Sequence, residues 1–435
     1  MRQLARCSLL ALALAGGSQI ASAADPIEFH GYFRAGIGLS AAGGGQVCFG
    51  LAGADTKYRL GNECDVVIEP TFTARIASPS DKSSWGITFM PKVYRTFAGG
   101  SANANTFGDE LPVNMGQIYL FGENLPQLLN GRLWGGRRYY DRLQTGINDQ
   151  FLENEDGDGA GIEDMNVGFG KWSVAWLMNP YNDGKNANGE SNVNDKFYKL
   201  TTRLTDIKTV DQGALQVWLG YYNHSVSDDT STQPPTVTTK APSQWRVGVY
   251  HTLNGWLNGS NLVGFKIENS DVLERWRVVL QQSAFVDSIK TNFDFITEYR
   301  SQKTRPDTNT DWTKNDWFTI GARSDTQISG PFRFLAELGH DQIKVDNSGY
   351  GTESLNKITL AGAMSAGPDA GSRPTFRVFY TYAKWNDAAA ADKSNGVYNH
   401  WINANGNGIS GNTLYQVYGD KTSGSTFGFQ AEAWW

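Results

Sequence analysis

The last ten residues of the chain, Thr426-Phe-Gly-Phe-Gln-Ala-Glu-Ala-Trp-Trp435, alternate between two kinds of side chain. Successive side chains of a β-strand point to opposite faces. One face of this segment therefore carries Phe427, Phe429, Ala431, Ala433 and Trp435, and the other carries Thr426, Gly428, Gln430, Glu432 and Trp434. The first face suits lipid and the second suits water, which predicts a strand that crosses a membrane as part of a barrel.

The same alternation recurs from the beginning of the chain onward. From Ile27 to Ser40, apolar residues alternate with polar ones. The segments 66–76, 332–339 and 376–383 repeat the pattern, and their polar faces carry Glu69, Arg75, Arg333, Glu337 and Arg377. Because charged residues cannot line a dry core, this face indicates a water-filled lumen. We expect the first and last strands to pair and to close an all-β, transmembrane antiparallel barrel.

Polar stretches rich in Gly, Asn and Asp separate the strands. They predict external loops at 99–105, 154–161, 179–194, 227–242, 303–316 and 387–420. Residues 24–435 have room for about 18 strands of about 9 to 11 residues with such loops, in a single barrel domain. Pro70 and Pro91 interrupt two strands, and a closed barrel has no free edge for them, so we expect them near a rim or at a bulge.

The first residues have the features of a secretory signal peptide. Arg2 and Arg6 precede an apolar stretch at 9–14, and small residues follow at 21–24. We therefore expect cleavage after Ala23 or Ala24, which removes residues 1–23 as the signal peptide. Without the two arginines the formal charge is about −8, which disfavours nucleic acid as a partner. The sequence has no run of eighteen apolar residues, which excludes a transmembrane helix.

Cys48 and Cys64 are the two cysteines beyond the signal peptide. In an exported protein they most simply form one disulfide bond. The bridge would close a loop whose apolar residues are Val47, Phe49 and Leu51. Exposed aromatic and aliphatic residues need cover, so we expect this loop to pack on the barrel wall or on another subunit.

The sequence does not indicate a metal or cofactor site. The five histidines are scattered singly, and no Cys or His pairs lie at metal-binding spacing. The acidic stretch Glu153-Asn-Glu-Asp-Gly-Asp-Gly159 resembles a calcium loop, but its twelfth position is Met165 rather than a bidentate glutamate. We therefore expect a solvated loop there, with no metal and no cofactor.

Several motifs go beyond a general barrel. They are Phe29-His-Gly-Tyr-Phe-Arg-Ala-Gly-Ile-Gly38, Lys57-Tyr-Arg-Leu-Gly-Asn-Glu-Cys64, Gly136-Arg-Arg-Tyr-Tyr-Asp-Arg142, Gly159-Ala-Gly-Ile-Glu163, Ser372-Arg-Pro374 and the Trp434-Trp435 end. In this order they resemble the maltoporin family, the sugar-specific porins of the Gram-negative outer membrane. The resemblance implies a homotrimer of 18-stranded barrels, each with its third loop folded inward as a constriction. It also implies passive diffusion of oligosaccharides such as maltose and maltodextrins, and no enzymatic activity.

The resemblance also assigns roles position by position. The substrate-binding positions are Tyr32, Trp434, Arg34, Arg59, Glu69 and Phe107, and the constriction positions are Arg142, Asp149 and Phe151. Sugar rings stack their apolar C–H faces on the aromatic residues, and the charged residues hydrogen-bond the hydroxyls. Phe107 is close to the point where the second loop would reach a neighbouring pore. The alternatives are an aromatic girdle for Tyr32 and Trp434, and mutual salt bridges for the charged residues.

Other positions depart from the family pattern. Val67 and Gly371 replace aromatic residues of the sugar path, and Gln144, Gly146 and Gly116 replace charged or histidine residues near the constriction. These departures therefore favour a roomier pore, as in the sucrose-porin branch of the family. We expect weak, length-insensitive binding of maltodextrins and entry of disaccharides such as sucrose or trehalose.

Three alternatives accompany this interpretation. A general or sucrose-preferring diffusion porin is the nearest. An outer-membrane barrel enzyme with a Ser–His site is remote, because the sequence has no nucleophile-elbow spacing. A secreted β-sandwich lectin would also stack sugars on aromatic residues, but it would not need charges that alternate inward along its strands.

Overall fold

Eighteen antiparallel strands form a closed barrel in the computed structural model, which describes residues 27–55, 57–96, 113–178, 196–225, 243–305, 310–393, 396–399 and 414–435. The barrel strands are β1 Glu28–Ser40, β2 Asp65–Ala77, β3 Ser84–Thr96, β4 Val113–Leu125, β5 Gly131–Arg138, β6 Gly157–Asn166, β7 Lys171–Met178, β8 Lys196–Lys208, β9 Gly213–Ser225, β10 Gln244–Asn254, β11 Ser260–Asn269, β12 Leu273–Val286, β13 Thr291–Thr304, β14 Thr313–Ser329, β15 Phe332–Val345, β16 Thr352–Ser365, β17 Thr375–Trp385 and β18 Ser423–Trp434. β1 pairs with both β2 and β18, which closes the barrel as predicted. The predicted signal peptide at 1–23 lies outside the described residues.

The barrel wall has apolar side chains on its outer face and charged side chains on its inner face, the reverse of a globular protein. On β15 the outward Phe334 and Leu338 are exposed, whereas the inward Arg333 and Glu337 are almost fully buried. β18 repeats this pattern with exposed Phe429 and its buried polar neighbours. The predicted alternation is confirmed. The inward charges are buried because loop segments cover them inside the lumen.

The two wall prolines face each other where β2 and β3 meet. The register sets Pro70 opposite Pro91, and neither proline has an amide hydrogen for the ladder. A register shift between β3 and β4 lies at Met90 and Pro91, and Gly116 is the extra residue. Pro91 therefore sits at a bulge, which was one of the two expectations, and both prolines lie near strand centres rather than at a rim.

Several predicted loop boundaries are wrong. Residues 157–161 belong to β6, and the predicted loop at 303–316 loses its ends to β13 and β14. The backbone there continues its ladder hydrogen bonds despite the polar composition. The predicted loops at 99–105, 179–194 and 227–242 fall outside the described residues.

The loop at 387–420 contains secondary structure of its own. It holds two short helices, α1 Asp387–Ala391 and α2 Tyr415–Tyr418, and a short strand at Val397–Asn399. That strand pairs with Phe49–Leu51 from the first loop. Within the described ranges, no helix is long and apolar enough to span a membrane.

Candidate functional site: the barrel lumen

The first loop of the barrel folds into the lumen. We call residues 41–64 the disulfide loop, because Cys48 and Cys64 are bonded as predicted, with Cα atoms 6.0 Å apart. Its apolar residues are buried against inward side chains of β14, β15 and β17: Val47, Phe49 and Leu51 cluster with Trp317, Ile343 and Trp385. Of the two expected partners, the barrel wall is the one observed.

The tip of the disulfide loop docks on the far wall. Tyr58 lies against Gly321 of β14 and Gly339 of β15, where a Cβ on either glycine would approach its ring to 2.0 Å. These two positions must therefore lack a side chain for the ring to fit. Nearby, Asp55 pairs with Arg277 of β12 at 3.0 Å. The loop thus reaches from β1 to strands well around the barrel.

The third loop, residues 139–156, also folds inward. We call it the hairpin loop, because short strands at Leu143–Gln144 and Phe151–Glu153 pair within it. Glu153 is buried and accepts a hydrogen bond from the Tyr250 hydroxyl of β10 at 2.7 Å. An inward-folded loop is therefore present, as the fold prediction required.

The acidic stretch at 153–159 is not the solvated loop that its composition predicts. Glu153 pairs with Lys266 of β11 at 3.0 Å. Glu155 accepts a hydrogen bond from Tyr222 of β9 at 2.7 Å. Because the wall supplies a cation or a hydroxyl for each of these carboxylates, the stretch fastens the hairpin loop inside the barrel.

The two inward loops are joined to each other by their backbones. The amide of Lys57 donates to the carbonyl of Asn148 at 3.3 Å, and the amide of Arg59 donates to the carbonyl of Ile147 at 3.1 Å. The loops therefore form one obstruction inside the lumen rather than two independent flaps.

Three of the predicted binding residues meet around two carboxylates, Glu63 and Glu432. Arg34 and Arg59 pair with Glu63 at 2.5 and 2.8 Å. The Tyr32 hydroxyl donates to Glu432 at 2.9 Å, and Arg59 reaches the same carboxylate at 3.3 Å. Arg34 is almost fully buried. This residue therefore has the alternative arrangement given above for the charged residues, a mutual salt bridge.

Asp149 and Trp434 adjoin the same group. An Asp149 carboxylate oxygen lies 3.8 Å from the Arg59 guanidinium. The Arg373 guanidinium lies 3.5 Å from the centre of the Trp434 ring and also pairs with Glu432 at 3.1 Å. Trp434 remains 44% exposed, so the rest of its ring surface is open to solvent.

The other predicted residues form a second group on the hairpin loop and the neighbouring wall. The Arg142 guanidinium stacks 3.4 Å from the centre of the Tyr139 ring and lies 5.1 Å from that of Phe151. The Tyr139 hydroxyl donates to Glu69 at 3.0 Å, and Lys92 pairs with Glu69 at 3.3 Å. Aromatic rings and charges therefore alternate along this part of the lumen.

Comparison with known proteins shows the family of this chain. The model of the LamB porin family matches residues 27–435. The chain belongs to the LamB porin family. Among solved structures, it is similar to OprD of Pseudomonas aeruginosa (10% identity, 94% of each chain covered, TM-score 0.46) and to OccD3 of the same species (8% identity, 95% of this chain and 92% of that chain, TM-score 0.48). It is also similar to a trimer form of OmpT from Vibrio cholerae (8% identity, 94% of this chain and 99% of that chain, TM-score 0.41).

The protein is therefore an outer-membrane porin, and its lumen is a channel. The closed barrel overturns the alternative of a secreted β-sandwich lectin, because all eighteen strands belong to one continuous sheet. Among the predicted binding residues of this porin, Phe107 lies outside the described residues.

Sequence reasoning missed two aromatic residues of the porin lumen, Tyr94 and Tyr139. Tyr94 is half-buried, and the register sets it directly opposite Val67, where the aromatic residue expected from the family is absent. Alternation along β3 could have placed Tyr94 in the lumen, but Pro91 obscures the pattern. Tyr139 belongs to a quoted motif, yet it follows the end of β5 and no strand parity applies to it.

The charge state of the loop junction follows from its neighbours. Burial alone would favour the uncharged acid, but Arg34 and Arg59 hold the pKa of Glu63 at about 2. Burial lowers the pKa of Lys57 to about 8, against the opposing effect of the Asp149 carboxylate. At neutral pH the porin therefore carries an ionised Glu63 and a Lys57 that is close to its titration.

Proposed function

We propose that this porin admits oligosaccharides into the periplasm by passive, saturable diffusion. The observation that carries the proposal is a series of accessible aromatic rings on one side of the lumen, each beside a charged residue: Tyr32, Tyr94, Tyr139, Phe151 and Trp434. Several weak sites in series bind a permeant well enough to admit it and weakly enough to release it.

The chemistry of these rings supports sugars as the permeants. An aromatic plane accepts the apolar C–H face of a sugar ring, and neighbouring charged groups replace the water lost from its hydroxyls. The cations also hold the rings in place: Lys92 lies 5.4 Å from the centres of both Tyr94 and Tyr139. A preformed row of rings lets one sugar unit stay stacked while the next advances.

We further propose that the porin has a broad intake, with weak and length-insensitive binding of maltodextrins and passage of sucrose or trehalose. Gly371 supports this proposal, because a side chain built there would meet no atom within 4 Å and the space is open. Gly146 also has room, with only the Gln281 side chain near its Cβ position. Tyr94 partly offsets the missing aromatic residue at Val67, since it supplies a ring directly opposite Val67 on the next strand.

The test is a planar bilayer measurement with the purified porin. Sucrose, maltose and maltohexaose are titrated in turn, and each should reduce the ion current in a saturable way, with similar half-blocking concentrations. Liposome swelling with the same sugars gives the permeation rates. Ion conductance without block by any sugar would reject the sugar proposal and leave a general diffusion porin. A steep rise of affinity with chain length would reject only the broad intake.

We also propose that the porin is a homotrimer in a Gram-negative outer membrane, where Phe107 would reach the pore of a neighbouring subunit. Chemical cross-linking of the detergent-solubilised protein should then give a trimer. Phe107→Ala should weaken sugar block without changing that trimer. A monomer by cross-linking would remove the role assigned to Phe107.

A further inference from the structure

Four lysines form a row on the outer surface of the barrel. We call them the lysine row: Lys303, Lys314, Lys344 and Lys384, on β13, β14, β15 and β17. In the strand register, Lys303 lies directly opposite Lys314, and Lys344 lies opposite Asp316. Each lysine has the strand parity of exposed apolar residues that face lipid. The row therefore lies on the lipid side of the wall, not in the lumen.

The lysine row stands at the external end of the barrel. The row is at the same end of the barrel as the disulfide and hairpin loops. The C-terminal Trp435 is at the opposite end. Long loops mark the external side of an outer-membrane barrel, and short turns mark the periplasmic side. The lysine row is therefore at the end of the wall that is nearer the outer-leaflet headgroups.

The row has more positive charge than its acidic neighbours neutralise. Lys303 pairs with Glu274 at 3.5 Å and Lys314 pairs with Asp316 at 2.5 Å. Lys344 and Lys384 are exposed, and among the residues that the structure describes neither has an ion-pair partner. Two ammonium groups are thus available to an anion from the membrane.

An apolar groove of about 580 Å³ begins directly beside Lys384. Its outward walls are Phe295, Ile320, Ala322, Leu338 and Ile358, and Asn356, Tyr382 and Lys384 line its polar end. Gly321 and Gly339 form part of its floor, because the same glycines accept the Tyr58 ring on the inner side. The groove is apolar along its length and has a cationic side chain at one end. This combination matches a lipid that carries both acyl chains and an anionic headgroup.

We propose that the lysine row and this groove bind a phosphorylated glycolipid of the outer leaflet, of the lipid A type. Its phosphates would lie between Lys344 and Lys384, and an acyl chain would fill the groove. The charge complementarity supports this occupant, because two unpaired ammonium groups attract phosphates and the apolar groove beside Lys384 accepts an acyl chain. An exposed lysine near an acidic surface contributes to binding mainly through its charge.

The test compares the porin with two matched double variants. Lys344→Gln/Lys384→Gln removes the unpaired charges, and Lys208→Gln/Lys290→Gln removes two charges at the periplasmic end. Bisphosphorylated lipid A is titrated into the purified porin, and bound lipid is counted by native mass spectrometry. The first variant should lose about 30-fold in affinity, whereas the second should bind as the wild type does. Heat-modifiable migration and conductance confirm that both barrels are folded.

Three results would overturn the proposal. Equal loss in both variants would indicate a general effect of net charge. Equal binding of dephosphorylated lipid A would indicate simple partition into the groove. A cross-link from Lys384 to another copy of the chain would show that a subunit covers this surface. Sugar block is measured separately in the same samples, so failure of the sugar proposal leaves this result readable.

Discussion

The two sides of the lumen use the same residue types for different purposes. On β11 to β16 several inward charges are covered by the loops: the Lys357 and Arg300 side chains are each only 3% exposed. Near β3 and the hairpin loop the inward charges remain accessible, with Lys92 at 30% and Arg142 at 29%. The first side anchors the loops, and the second is free to contact a permeant.

The tyrosines divide in the same way. Tyr222 and Tyr250 are buried, and each donates its hydroxyl to a carboxylate of the hairpin loop. Tyr94 and Tyr139 are only half-buried and lie beside Lys92. We therefore expect an inward aromatic residue to be available to a permeant only where no loop covers it, and strand parity alone does not distinguish the two cases.

The largest effect should come from detaching the anchored side. Tyr58→Ala empties the space between Gly321 and Gly339, and large-to-small substitutions of buried aromatic residues cost about 3 to 5 kcal/mol. The disulfide loop should then leave the wall, and single-channel conductance should rise with added current noise. Tyr58→Phe is the control, since it keeps the ring and loses only the 2.7 Å hydrogen bond to Thr319. Equal conductance in Tyr58→Ala and wild type would contradict this anchoring.

Removal of the disulfide bond should have a smaller effect on the same loop. Cys48→Ser/Cys64→Ser loses a cross-link of a kind that contributes about 2 to 4 kcal/mol, mainly by restricting the unfolded chain. Tyr58 and Asp55 still hold the tip, so conductance should change little while protease cleavage within 41–64 becomes faster. Non-reducing mass spectrometry of the wild type provides the reference, and free thiols there would refute the bond itself.

On the accessible side, Arg142→Ala should widen the passage. The guanidinium covers Tyr139 and pairs with Asp156, so its loss opens the hairpin loop surface. We expect a higher single-channel conductance, and a weaker sugar block because the guanidinium no longer donates hydrogen bonds to the permeant. Lys266→Met on the anchored side is the comparison, and it should disturb the loop without removing a cation that is accessible to the permeant. Unchanged conductance in Arg142→Ala would place the narrowing elsewhere.

Substitution of Tyr94 tests whether its ring replaces the aromatic residue that is missing at Val67 on the neighbouring strand. Loss of one stacking contact of about 0.5 to 1.5 kcal/mol weakens binding by roughly 2 to 13-fold. Tyr94→Val should therefore raise the half-blocking concentration of maltohexaose by such a factor. Val67→Tyr in that background should restore part of the block, because the two positions are cross-strand partners. Wild-type block in Tyr94→Val would remove this residue from the proposed path.

The sequence predicted the barrel because alternation is a local property that each strand displays by itself. The strands around Arg333 and Phe429 could be assigned to their faces without knowledge of any neighbour. The position of the loops could not be predicted in this way, since it depends on distant pairings such as Glu153 with Lys266. The same limit applies to the acidic stretch at 153–159, whose composition is that of a solvated loop and whose partners lie on other strands.

The smallest expected effect is a pH dependence at the junction of the two loops. Burial lowers the pKa of Lys57 to about 8, so its ammonium is charged below that pH and becomes neutral as the pH rises through it. The loss of one positive charge beside Asp149 should increase the preference for cations, which a salt-gradient reversal potential measures between about pH 7 and pH 9. Lys57→Met should have the high-pH selectivity throughout this range. Lys393, exposed in the loop at 387–420, provides the matched control, since Lys393→Met should leave the titration near pH 8 intact. A wild-type porin whose selectivity does not change over this range would show that Lys57 does not face the ion path.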